Sequence, residues 1–204
     1  MNFTIKGVDQ SGGGLHPSSY GRKMLKNLLQ SSIVVFVISC GLQSCSDGGS
    51  SPPATEVEIS TDTQLFAHVT QSEPFDSYTL FPNVDSVTSG TLNGSTAHQP
   101  LVRVSMNPSA LATLKNHKLP SGGSFPDGSI ILKQIIAGGQ TVLLTIIYKD
   151  HSNVLAGNGW LWAEYQPDGT VAFSIDNRGS GCVDCHMREE GPQNDFVRTF
   201  ERQP

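Results

Sequence analysis

From residue 101 onward the apolar positions fall in short runs, broken at near-regular intervals by Gly, Pro, Asn and Asp. That punctuation belongs to antiparallel strands joined by tight turns. Leu101-Val102-Arg103-Val104-Ser105-Met106 predicts a first strand. Asn107-Pro108 follows as an N-cap residue and a proline at the first helical position, and Ala110, Leu111 and Leu114 recur at helical spacing. A short helix is expected to about Lys118, ended by Pro120-Ser121-Gly122-Gly123. Phe125-Pro126-Asp127-Gly128 turns the chain into a strand over 129–136, and Gly138-Gly139 turns it again into 141–148, apolar on both faces and therefore central. Strands over 160–165 and 170–175 follow, separated by Gln166-Pro167-Asp168-Gly169. Residues 55–100 carry a thinner pattern. Glu56-Val57-Glu58-Ile59-Ser60 alternates briefly, as a strand or short helix, and Phe75, Tyr78, Leu80 and Phe81 are scattered among polar residues. The expected fold is mainly β: an antiparallel sheet with a few short flanking helices.

The first 45 residues follow another pattern. A basic patch over 22–26 precedes an apolar run over 28–38, which is short of the roughly 20 residues that span a membrane and suits the core of a signal peptide. The run ends in Leu42-Gln43-Ser44-Cys45, which resembles the bacterial lipoprotein signal, with Cys45 as the lipidated residue. Val37-Ile38-Ser39-Cys40 is an overlapping alternative. Cys45 is preferred because residues 46–55 are the small, Gly/Ser/Pro-rich stretch expected of a flexible tether. Met24 is an alternative start, in which case residues 1–23 are not translated. These features predict a protein exported to the periplasm and held by lipid on a bacterial membrane, the outer rather than the inner.

Without this leader, about 160 residues remain, the size of one domain with a proper core, and 56–204 is taken as that domain. Four of the 13 Lys+Arg and one of the 18 Asp+Glu lie in the leader, so the remainder carries 9 basic and 17 acidic side chains. A net charge near −8 argues against nucleic acid as a partner and favours a basic redox protein by electrostatic steering.

Cys182-Val183-Asp184-Cys185-His186 brings in the chemistry. In an exported chain, C-x-x-C-H is the attachment motif of a c-type haem: two thiols one turn apart bond the vinyl groups, and the next histidine ligates iron. Three other readings stand beside it. A zinc site needs four ligands, yet the other cysteines lie in the leader. A thioredoxin-type pair belongs early in a βαβ unit, and a disulfide across two residues would close a very small loop. Only 18 residues follow His186, and the sole methionine among them is its neighbour Met187. A second iron ligand must therefore come from upstream, where Met106, His68, His98, His117 and His151 are the candidates. With none of them marked out, a five-coordinate iron open to a small ligand is expected.

Strand alternation sets Lys133 on the face of Ile131 and Ile135, where an ammonium is costly unless it is paired, used, or extended to a sheet edge. Over residues 101–200 the chain resembles the cytochrome P-460 family, together with its relatives the cytochromes c-prime-beta. The resemblance is carried by Arg103-Val104-Ser105-Met106-Asn107-Pro108, by Phe125-Pro126-Asp127-Gly128 with Lys133 five residues on, and by Gly159-Trp160. The late C-x-x-C-H and Asn194-Asp195-Phe196-Val197 with Phe200 complete it. It implies an antiparallel sheet, one covalent haem c near the C-terminus and a five-coordinate iron. It further implies one of two roles: oxidation of hydroxylamine to nitrogen oxides by a branch whose lysine, here Lys133, is cross-linked to the haem, or nitric oxide binding by the branch without the cross-link. A non-enzymatic electron-transfer role is the alternative to catalysis. The expected partners are a second cytochrome and the small nitrogen ligand, and a homodimer is left open. Glu164 and Asp176 are the nearby carboxylates considered as proton acceptors.

Overall fold

The computed structural model describes residues 58–204. The expected leader, the whole tether, Cys40 and Cys45 lie outside the described residues. Helix α1 (Asp62–Ala67) starts at Thr61, whose hydroxyl accepts from the Gln64 amide, while the Gln64 side chain accepts from the Ser60 amide. This reciprocal cap lies where the sequence pattern was thin. Two short strands follow, β1 (Thr79–Leu80) and β2 (Thr88–Ser89), and then β3 (Leu101–Met106).

Helix α2 (Pro108–Ala112) begins as expected, with the Asn107 side chain accepting from the Ala110 amide, but it stops well before Lys118. Lys115 and Lys118 instead exchange backbone hydrogen bonds around Asn116 and His117, both at positive φ, which is a two-residue turn and not helix. The remaining strands are β4 (Ile130–Ala137), β5 (Gln140–Lys149), β6 (Trp160–Tyr165) and β7 (Val171–Phe173), and the last helix is α3 (Cys182–His186). Gly138 and Gly139, with φ of 59° and 80°, close the β4–β5 hairpin in a backbone conformation that few other residues adopt.

The seven strands form one antiparallel sheet in the order β1-β3-β4-β5-β6-β7, with β2 also paired to β3. The expected mainly β architecture is therefore the observed one. Both faces are covered. Ile130, Leu132, Leu144, Ile146, Leu161 and Tyr165 pack with Leu65 and Val69 on one side. Val102, Val104, Ile131, Ile135, Ile147, Trp160 and Trp162 pack with Phe125, Val197 and Phe200 on the other. Coverage on both faces explains why four successive residues at the end of β5, 146–149, are all buried. Among the described residues no helix is long and apolar enough to cross a membrane.

Candidate functional site

Two cross-strand rows floor a cavity on the Trp162 face of the sheet. Register sets Lys133 opposite Thr145, Thr145 opposite Glu164, and Glu164 opposite Phe173; the neighbouring row is Ile131, Ile147 and Trp162. All seven line a cavity of about 280 Å³, closed from above by Cys182, Cys185, His186 and residues 197–199, with His98 at its side.

The chain reaches this position through glycine. Gly179 and Gly181 have φ of 70° and 82°, and a Cβ on Gly179 would lie 2.5 Å from Cδ1 of Trp162. Only glycine lets the segment lie so close to the sheet before α3 begins. Helical spacing then turns Cys182 and Cys185, three apart, to one face, with His186 four from the first. All three side chains line the cavity, and both thiols are free.

His186 is oriented from behind. Its Nδ1 lies 2.6 Å from the carbonyl oxygen of Phe196. A carbonyl only accepts, so Nδ1 carries the proton and Nε2 of the neutral ring keeps a lone pair. Burial, reinforced by the nearby Lys133 charge, holds the His186 pKa down to about 4, which leaves the ring neutral at pH 7. Trp162 packs edge-on against it, with ring centroids 4.8 Å apart.

Phe196 is itself held by its neighbour. Asp195 accepts from the Lys149 ammonium at 2.7 Å, from the Phe125 amide at 2.9 Å and from the Ser124 hydroxyl at 3.0 Å, while the Asp195 carbonyl accepts from the Trp160 indole at 3.0 Å. Lys149 is 1% exposed, and its ammonium lies 4.6 Å from the Trp160 ring centroid.

The polar part of the cavity is a trio. Lys133 Nζ lies 3.0 Å from Nδ1 of His98, and His98 Nε2 lies 4.0 Å from a Glu164 oxygen. Burial, with Arg202 next, pulls the Lys133 pKa down to about 8. Its side chain lines the cavity. Burial raises Glu164 above the usual carboxylate range, against the Thr145 hydrogen bond and the Lys133 charge. His98 is driven down to about 2 by burial, then by Lys133 and His186. Every one of these shifts favours the neutral form, as expected of a site short of water. Burial, followed by Glu164 and Cys185, likewise lifts the Cys182 thiol to about 11. Arg198 grips both Glu201 oxygens at 2.7 Å and turns one nitrogen toward the Cys185 sulfur at 3.6 Å.

Of the five upstream ligand candidates, only His98 reaches the cavity; its ring centroid is 6.4 Å from that of His186. Met106 is buried in the core, and His68 packs edge-on against Tyr148 on the opposite face. His117 is exposed in the turn after α2, and His151 is an exposed partner of Asp127 at 2.7 Å. Asp176 is exposed and does not line the cavity, so of the two carboxylates Glu164 alone belongs to the site. Glu164 shares the face of Trp160 and Trp162 by simple alternation, a signal readable in the sequence. Asp195 and Arg198 left no such signal, because they sit in irregular chain and act on partners far away in sequence.

Two free thiols on one helical face, an imidazole with its Nε2 lone pair free, and a largely apolar cavity make a donor set that suits a covalently attached haem. Among the described residues no three His, Cys, Asp or Glu side chains converge to hold a bare metal ion. No protein-family model matches the chain, and a search of curated proteins finds no match.

Proposed function

We propose that this chain is a lipid-anchored, periplasm-facing c-type cytochrome of the P-460 type that oxidises hydroxylamine and passes the electrons to another cytochrome. The observation that carries the reading is the hydrogen bond from His186 Nδ1 to the Phe196 carbonyl, in the same cavity as both thiols. It readies Nε2 as a ligand and strengthens the ring as a donor. Cys182 and Cys185 would hold the vinyl carbons, and His186 the iron. When bound, the haem supplies a redox centre able to accept electrons from a small ligand.

The side chains supply the rest. Glu164 as carboxylate accepts a proton from a substrate of hydroxylamine size, oriented by Thr145 Oγ1 at 3.4 Å. His98 stands between Lys133 and Glu164, its Nδ1 3.0 Å from the lysine Nζ and its Nε2 4.0 Å from a carboxylate oxygen. Ile131, Ile147, Phe173 and Val197 exclude water and strengthen these interactions. Lys133 lines the same cavity with its pKa lowered to about 8 by burial, so near neutral pH part of it is the uncharged amine that a bond to the haem would require, with an external two-electron oxidant. The acidic surface would steer a basic redox partner toward the protein.

Intact mass of the chain matured in a host with a c-type haem assembly system, followed by peptide mapping, tests the reading. Haem joined to both the 182–186 and the Lys133 peptides, with hydroxylamine-dependent reduction of an electron acceptor, supports it. Haem on the 182–186 peptide alone, without turnover, favours the nitric-oxide-binding or electron-relay alternative. Absence of covalent haem overturns both.

A further inference from the structure

We infer that the buried Lys149–Asp195 ion pair is a positioning device for His186, setting the direction and strength of the hydrogen bond at Nδ1 and hence how strongly the imidazole donates to a metal. The inference rests on His186 being the haem ligand.

A buried ion pair is weak evidence for a stabilising role, since well-packed apolar residues of similar volume often serve as well. Here apolar cover is already at hand: Val197 and Phe200 bury the same segment. What the carboxylate adds is direction. Asp195 is tied by Lys149 at the end of β5, by Ser124 and Phe125 of the loop before β4, and by Trp160 at the start of β6. These four hydrogen bonds fix both its side chain and its carbonyl, and they come from separate parts of the sheet side.

Asp195 and Phe196 both adopt left-handed backbone, with φ of 50° and 66°. An aspartate tolerates that conformation, whereas a phenylalanine holds it only when its surroundings impose it. The anchored Asp195 thereby dictates where the next carbonyl, that of Phe196, points. It points at His186 Nδ1, 2.6 Å away, closer than the roughly 2.9 Å usual for an N–H···O bond. A short, fixed acceptor draws the Nδ1 proton outward and leaves more electron density at Nε2. No group of the pair touches the imidazole; it acts through one peptide unit.

The test uses the full chain in its haem-loaded form, with D195N, S124A and the surface control D127N. Two readouts are taken: the iron–histidine stretching frequency of the ferrous protein by resonance Raman, and the reduction potential. D195N is expected to shift the stretch to lower frequency and the potential upward. S124A should shift both the same way by less, and D127N should leave both in place. Loss of thermal stability in D195N with frequency and potential unmoved overturns the inference, because a purely structural tie would give that result. If D195N does not fold, S124A decides, and an unshifted band in S124A overturns the inference. Covalent haem with unmoved bands defeats only this inference, whereas wild-type protein without covalent haem defeats the haem reading and this inference with it.

Discussion

Nζ of Lys133 lies 3.0 Å from Nδ1 of His98, although the two residues are 35 apart in sequence. Burial lowers the lysine pKa to about 8 from an ordinary 10.5, so between those values the unfolded chain binds more protons than the folded one. Stability contributed by this group therefore rises with pH across that window, and below it the buried charge is a standing penalty. K133M in protein matured without haem should be more stable than wild type near neutral pH, and the gap should close as pH approaches 10.5. Urea unfolding of both proteins across the range measures it, and parallel curves would sink the idea.

Glu164 faces the cavity with its charge disfavoured by burial. E164Q keeps the shape and removes the base. Hydroxylamine turnover is expected to fall by about 10²–10⁴-fold, the usual loss on removing a general base, with haem content unchanged. Initial rates normalised to haem check this; a variant that turns over like wild type assigns the proton elsewhere.

Asn107 is 1% exposed and joins three segments. Its Oδ1 accepts from the Ala110 and Ile130 amides at 3.0 and 2.9 Å, and its Nδ2 donates to the Gly128 carbonyl at 2.9 Å and to Glu73 at 3.1 Å. N107A leaves buried backbone groups unpaired, and a loss of about 2–4 kcal/mol is expected. Denaturant titration reads it directly. A loss below about 1 kcal/mol would mean that water replaces the side chain.

The Cys182 thiol is raised to about 11, by burial first and Glu164 next. In folded protein lacking haem, its alkylation at neutral pH should be about a hundredfold slower than that of an unperturbed thiol, since the thiolate reacts. The rate should climb with pH and increase in E164Q. Mass spectrometry of iodoacetamide-treated protein follows it, and rapid labelling at pH 7 would contradict the geometry.

Strands 3 to 7 were legible because each has period two or continuous apolarity and ends at Gly or Pro. Lys133 stood out for the same reason, as a charge set by alternation on the face of Ile131 and Ile135. The helix after Asn107 was overextended because Leu111 and Leu114 continue the spacing. Local preference is overridden there by Asn116 and His117, which take left-handed backbone in a turn that begins at Lys115. The cap at Thr61 was missed since a six-residue helix leaves little periodicity. The cavity itself was half readable: alternation groups Trp160, Trp162 and Glu164. No local pattern connects Asp195 to Lys149, because that contact depends on how irregular chain is laid across a finished sheet.

The residues that close the cavity come after every strand of the sheet in chain order. Strands β3 to β7 pair with their neighbours in sequence, so the face carrying Lys133 and Glu164 can be complete while Asp195 is still to come. Until then Lys149 has no counter-charge at a position the finished fold buries. Removing one partner of such a pair costs roughly 3–5 kcal/mol. The ion pair thus serves as a test of completeness, and copies that stop short of it remain open to proteases. A chain ending at Asn194 should be digested faster than the full chain, and K149M in that shortened chain should restore part of its resistance.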